Sequence, residues 1–445
     1  MTGISPKTLA LLPAVLLTLL VPCGKLAAQF SIDEAPINYN KAKVDDPVSR
    51  LQARLDSGKA KLVYDEAHGY LKSVLKNLGV DPSSQALVYS KTSFQLRRIS
   101  PTTPRSVYFT DDAYVGWVQG GDVVELSAVD PKQGAIFYAL PQRKVEKPRF
   151  ARHTHQCTQC HSSTLTRGVP GHVVRSVFSA PDGQPILRAG TYITDHSSPL
   201  KERWGGWYVT GTHGEQRHMG NLLVRRGDDP HQLDTSKGAN VTDLGKLIDT
   251  SPYLTPHSDI VALMVMEHQT QMHNLITRAS YEGRLTLRDE NVMNKMLERG
   301  KNYRSATTRR RFASSGDRLL KYMLLVDETK LTSPIKGTLK FTERFAARGP
   351  RDRKGRSLRD FDLTRRLFKY PCSYLIYSEA FDALPAPVKS HVYRRLFDVL
   401  HGRDKSKDFV HLSPVDRKAI LEILRDTKKG LPDYWKTKTK AKAKS

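Results

Sequence analysis

Residues Cys157-Thr158-Gln159-Cys160-His161 put two thiols three positions apart and an imidazole directly after the second. Thiols at that spacing can bond to the two vinyl groups of one porphyrin, and the histidine that follows is then held beneath the iron. With 4 Cys among 445 residues, chance produces this pattern in about one such chain in a thousand. A chain built on it must fold around a flat, covalently tethered group. One haem c, attached at Cys157 and Cys160 and ligated by His161, is therefore the first expectation. The thiols have three other uses: a local disulfide, a thioredoxin-like couple, or part of a zinc site. The redox couple needs its pair at the start of a helix in a βαβ unit, and no such unit surrounds Gln156. Zinc is the stronger rival, because His153 and His155 stand just upstream and complete a possible tetrahedral donor set. Only haem requires His161 directly after the second cysteine.

Positions 1–28 read as a secretory signal, with a basic start at Lys7, an apolar run from Leu9 to Val21 and small residues Ala27 and Ala28 near a cut. The run is short for a membrane span. Leu20-Val21-Pro22-Cys23 faintly resembles a lipoprotein box, so anchoring through Cys23 is the alternative to a cleaved, soluble, periplasmic chain. Because c-type haem is attached outside the bacterial cytoplasm, signal and motif support each other. Without Cys23, one cysteine is left over. Cys372 lies among Leu367, Phe368, Leu375 and Ile376, which predicts a buried thiol and no disulfide framework.

Lys and Arg total 71 and Asp and Glu 45, a formal charge of +26. A field of this sign suits an acidic redox partner, anionic lipid or cell-wall polyanions. Export and the lack of a nucleic-acid-binding motif argue against nucleic acid. The alternating lysines of Lys436 to Ser445 have no apolar face. They predict a disordered basic tail over 431–445, suited to peripheral association with an anionic membrane or wall. Arg309-Arg310-Arg311 is a second cluster and reads as a solvated face.

The pattern along the chain predicts an α+β protein with a β-rich N-terminal and haem-flanking part and a mostly helical C-terminal part. An extended lead-in and helical spacing over 46–78 open a first region, 29–150. Strand-like runs follow at 86–89, 106–110, 113–119, 123–129 and 135–140, with Gly120-Gly121-Asp122 as a hairpin turn. The haem region, 151–250, adds strands at 173–178, 187–193 and 207–210. The C-terminal region, 251–430, predicts helices at 259–279 with Ser258 as cap, 319–326, 389–400, and 414–427 with Ser413 and Asp416 as caps. Residues 334–362, rich in Gly, Arg and Lys, read as a long surface crossing.

A carrier cytochrome fills both axial positions, whereas an enzyme often leaves one open. Met219, 58 residues after His161, is the first candidate for the sixth ligand. His172, His196, His213 and His218 compete with it. Met264, His268 and Met272 share one helix face, which reads more simply as core. Two tryptophans and a tyrosine within Glu202 to Gly211 suit a porphyrin edge, and Arg203 or Arg217 suits a propionate.

The chain resembles a family of large, exported, single-haem proteins described as cytochrome c domain-containing, without an established function. The resemblance rests on Cys157 to His161, on ERWGGWYVTGTHGEQRHMGN (202–221), on DIVALMVMEHQTQMHN (259–274) and on RLFKYPCSYLIYS (366–378). It covers most of the chain after residue 28 and implies haem binding and electron transfer. Small cytochromes c are far shorter and place a helix just before the motif, where this chain has β-rich sequence. The expected function is electron transfer through one haem. The alternatives are a haem enzyme, a peroxidase or small-molecule reductase using Arg217 and His218 or the His268–His273 helix, and a haem sensor or envelope-binding module.

Overall fold

The computed structural model describes residues 31–436. The expected signal segment, with Cys23, and the lysines beyond residue 436 lie outside them. Alternating apolar positions between turn residues build β1 (Ala86–Val88), β2 (Arg105–Phe109), β3 (Ala113–Trp117), β4 (Val123–Asp130) and β5 (Gly134–Pro141). These pair antiparallel in chain order, and β6 (Ala151–His153) extends the meander beyond β5. Gly120, at φ +63°, makes the β3–β4 turn that the Gly-Gly-Asp sequence predicts. A single helical turn, α3 (Thr158–His161), then carries Cys160 and His161. Beyond it, β7 (Arg175–Val177) and β8 (Thr191–Ile193) form a separate ribbon. β9 (Trp207–Tyr208) returns to pair with β1, so the seven-stranded sheet runs β6-β5-β4-β3-β2-β1-β9.

Both sheet faces are covered. Tyr108, Val115, Leu126, Ile136 and Leu140 pack against α1 (Pro47–Asp56) and α2 (Leu71–Leu78) through Leu51, Leu71 and Val74. Val107, Phe109, Tyr114 and Val129 on the other face join a core shared with α4 (Ile260–Met296). That core continues into α5 (Ala306–Met323), α6 (Phe341–Ala347), α7 (Glu379–Asp382), α8 (Ala386–Leu400) and α9 (Pro414–Thr427). The β-rich and helical halves thus bury one core in common. Among the described residues no helix is long and apolar enough to cross a membrane.

The structure departs from the sequence pattern at several places. The helical spacing over 46–78 is two helices, because the chain leaves α1 through Gly58, at φ +71°, before α2 begins. The cap of α4 is Asp259, which accepts from the amides of Val261 and Ala262. Ser258 instead bridges Leu87 and Tyr208 of the sheet. α4 runs 17 residues past the expected end, to Met296, with Gly283, Thr286, Glu290 and Asn294 still buried along it. α5 begins at Ala306, ahead of the expected 319–326. The 334–362 crossing contains α6, anchored by buried Phe341 and Phe345. At 431–435 the chain is not a tail: Trp435 is buried between Tyr393 and Phe397.

Candidate haem site

β6 brings the chain to the sheet edge, where His153 stands opposite Phe137 of β5. The chain then turns into α3, fastened by the Thr158 hydroxyl on the Thr154 carbonyl at 2.6 Å and by the His161 amide on the Cys157 carbonyl at 2.9 Å. Cys157 and Cys160 sit one helical turn apart as free thiols, the first half-buried and the second exposed. Burial, with Glu125 and Cys160 nearby, pushes the Cys157 thiol up to about 11. A thioredoxin-like pair works through a depressed thiol, so this environment is the opposite of a redox couple's. Among the described residues no three His, Cys, Asp or Glu side chains are grouped to hold a metal ion. The zinc reading therefore lacks its donor set: His153 faces the Phe94 ring at 6.4 Å, and His155 is exposed. A porphyrin brings its own nitrogen donors and asks the protein for two thiols and one imidazole.

His161 meets that demand. Its Nδ1 lies 3.0 Å from the Gly171 carbonyl. A carbonyl only accepts, so Nδ1 carries the proton and Nε2 keeps the lone pair a metal needs. A backbone partner on the far ring nitrogen is how metal-bound histidines are oriented. Burial keeps this imidazole neutral by lowering its pKa. The Gly171 amide in turn donates to the His161 carbonyl at 2.8 Å, and the Pro170 carbonyl accepts from Ala135 of β5 at 3.0 Å. Asn274 of α4 closes the loop, its side chain accepting from the His172 amide at 2.9 Å and donating to the His172 carbonyl at 2.7 Å. A Cβ on Gly171 would stand 2.1 Å from the Asn274 side-chain oxygen, so only glycine allows this approach.

The sheet face beside His161 carries a row with three small residues and one acid. Gly116, Glu125, Ala139 and Ala151 are cross-strand partners in one row over β3, β4, β5 and β6. Phe137, in the next row, packs on the His161 ring at 4.8 Å. Arg105 lies across Gly116 to pair with Glu125 at 2.7 Å, and its Nε is buried without a partner. This unsatisfied donor beside the attachment turn suits a propionate.

The other sequence candidates are held elsewhere. Met219 accepts from the Ser176 hydroxyl at 3.6 Å and packs with Phe178 and Val224 around a cavity of about 420 Å³. That cluster belongs to the β9 edge, since the Asn221 amide bonds the Trp207 carbonyl at 2.9 Å. From β5 to β9 is five strand spacings, about 24 Å. α4 gives a second ruler: Ile260 bonds Thr210 beside β9 and Asn274 holds His172, 14 residues or about 21 Å along the axis. By both rulers the β9 edge and the attachment turn lie roughly 20 Å apart, and the contacts described for Met219 are with Ser176, Phe178 and Val224 rather than with the 157–161 turn. His172 bonds the Ser127 hydroxyl and packs against Tyr114 at 4.3 Å. His196 and His268 bond each other at 2.9 Å. His213 and His218 pack at 4.8 Å with their rings tilted at 58°, and His218 meets Trp204 edge-on. Met264 and Met272 are core.

Arg203 pairs with buried Glu267 at 3.1 Å and donates to the carbonyls of His196 and Ser198. Arg217 bonds the carbonyls of Gly214 and Gln216. Neither faces the attachment turn. Sequence reasoning missed Gly171, Phe137, Arg105 and Asn274. For Asn274 a signal existed: eight polar or sulfur residues, Glu267 to Asn274, inside a helix with no solvent face. Polar groups buried all round a helix each need a partner. No protein-family model, curated protein or solved structure matches the chain.

Proposed function

We propose that this chain is an exported c-type cytochrome that carries electrons through one haem bonded to Cys157 and Cys160, with His161 as proximal ligand. The observation that carries the reading is the His161–Gly171 pair: Nδ1 is protonated against a carbonyl, and two free thiols stand within one turn of it. The group would supply a one-electron ferric–ferrous couple. The protein's part is to hold the imidazole neutral and oriented, to floor the site with Gly116, Ala139 and Ala151, and to offer Arg105 to a carboxylate. The formal charge of +26 suits docking to an acidic redox partner. This reading agrees with the resemblance to large single-haem cytochrome c domain proteins. The lysine-rich end, 437–445, remains the proposed contact to an anionic membrane or wall.

A second reading is favoured by one observation. Met219, His172, His196, His213 and His218 each have partners of their own. An open distal position would suit a haem enzyme or small-ligand binder rather than a pure carrier.

Production in a periplasm that attaches haem c tests the proposal. The expected product keeps its haem on a denaturing gel and gives the haemochrome spectrum of two thioether bonds. A chain recovered without haem, under conditions that load a control cytochrome, overturns it.

A further inference from the structure

The last turns of α4 and the link to α5 stand away from the body. From Asn291 to Tyr303 every residue except Asn294 is exposed. Exposed large apolar side chains concentrate here: Val292, Met293, Met296, Leu297 and Tyr303, with Met296 73 % exposed. At 3.6 residues per turn, the three on α4 and Leu297 at its C-cap cover a continuous arc of about 140°. In a solvated helix end this arc is polar. Around it lie Lys295, Arg299, Lys301, Arg309 and Arg310, none of which has a carboxylate partner among the described ion pairs. Glu298 is the one acid in the segment without such a pair; Asp289 is taken by Arg288 and Arg311, and Glu290 by Arg304. The Arg299 guanidinium lies 4.6 Å over the Tyr303 ring, a cation and an aromatic presented together.

We propose that this α4–α5 elbow is a docking tip for an anionic lipid bilayer, with Met293, Met296 and Leu297 entering the interface and the ring of Lys and Arg meeting the headgroups. The charge complementarity is direct, and each basic side chain near an anionic surface adds to the attraction. The tip carries five exposed apolar side chains. That is too little for a stable protein partner, which needs about 800 Å² from each side. Long basic stems beside apolar groups are the arrangement that settles at headgroup depth. The inference does not rest on the haem reading, and its location is separate from the C-terminal lysines.

The test uses the full chain with vesicles of phosphatidylcholine, alone or mixed with phosphatidylglycerol. Tryptophan is placed at the elbow by Met296→Trp and, as a control at an exposed site on α9, by Val415→Trp. Quenching by lipids brominated along the acyl chain is expected at position 296 with the anionic vesicles, and not at 415. This reads the elbow directly, whatever the N-terminal segment does. Lys295→Glu with Arg299→Glu and Lys301→Glu is expected to weaken co-sedimentation about a hundredfold, with unfolding unchanged because all three residues are exposed. Equal quenching at both positions, or triple-variant binding equal to the parent's, overturns the proposal. So does a tryptophan at 296 that is protected only because two chains pair, seen as a dimer in sedimentation without lipid.

Discussion

Asn274 holds the backbone of His172 on both sides, accepting its amide at 2.9 Å and donating to its carbonyl at 2.7 Å. His172 follows Gly171, whose carbonyl fixes the tautomer of His161 at 3.0 Å. A helix of the C-terminal half therefore sets the orientation of an imidazole in the β-rich half. The shared core makes this possible, because Tyr114 and Phe109 of the sheet and Met272 and Leu275 of α4 pack in it together.

Asn274→Ala should lower stability and raise the haem midpoint potential. Two buried backbone groups lose their partner, at roughly 1–3 kcal/mol each. With the His172 backbone released, the neighbouring Gly171 carbonyl holds the His161 proton less firmly, which makes the imidazole a weaker donor and disfavours ferric iron. Urea unfolding and a redox titration measure the two effects separately. A stability loss with an unmoved potential would make Asn274 a packing residue and nothing more.

Cys157→Ser with Cys160→Ser should abolish haem retention on a denaturing gel, while either single change leaves one thioether and a red-shifted spectrum. Cys372→Ser should leave both readouts as they are. Cys372 is fully buried, and burial pushes its thiol up to about 12. Iodoacetamide should therefore label it only after unfolding. Labelling of the folded, haem-loaded chain at Cys372 would contradict the packing around it.

The legible parts of this fold are those in which one short segment carries the whole signal. Strands β2 to β5 could be read because alternation and turn residues coincide within a few positions. The cap and extent of α9 could be read because Ser413 and Asp416 form a capping box just ahead of its apolar face. The attachment motif is legible for the same reason. The partner of His161 is not, because it is a backbone carbonyl ten residues on, and any residue type carries one. Met219 looked suitable by its separation from His161 along the chain. Chain separation says nothing of the route through β7, β8 and β9, which carries Met219 to the opposite edge of the sheet. Arg203 suits a propionate by sequence alone; Glu267, which pairs with it, lies 64 residues away on another element.

Stability should fall early on acidification, between about pH 6.5 and 5. His172, His196, His213, His218, His268 and His273 are all lowered from the usual 6.5, chiefly by burial. His196 and His218 go to about 3 and His273 to about 4. Below pH 6.5 the unfolded chain protonates these groups and the folded chain does not, so unfolding takes up protons and is favoured as pH drops. Glu267 and Glu328, raised by burial to about 7, and Asp112, raised to about 6, act in the opposite sense, because their folded forms bind protons first. Asp46 and Asp259 are also raised by burial; the six imidazoles still outnumber these five carboxyls, so the melting temperature should decline through this window. A melting temperature that holds level from pH 6.5 to 5 would mean the imidazoles are not buried as described.

Carbon monoxide separates the two readings of the haem. Met219 sits with Phe178 and Val224 on the β9 side, and that edge lies on the order of 20 Å from the attachment turn by strand spacing. Met219→Ala should therefore leave the reduced absorption spectrum and the midpoint potential unchanged. If the distal position is open, the reduced protein binds carbon monoxide at once and the ferric form is high-spin at neutral pH. A low-spin protein that ignores carbon monoxide would require a ligand outside the set weighed from the sequence. His153 is then the next residue to substitute, since it stands opposite Phe137 at the sheet edge that carries the attachment turn. Loss of a low-spin spectrum on Met219→Ala would instead require the 157–161 turn to move across the sheet when haem is attached.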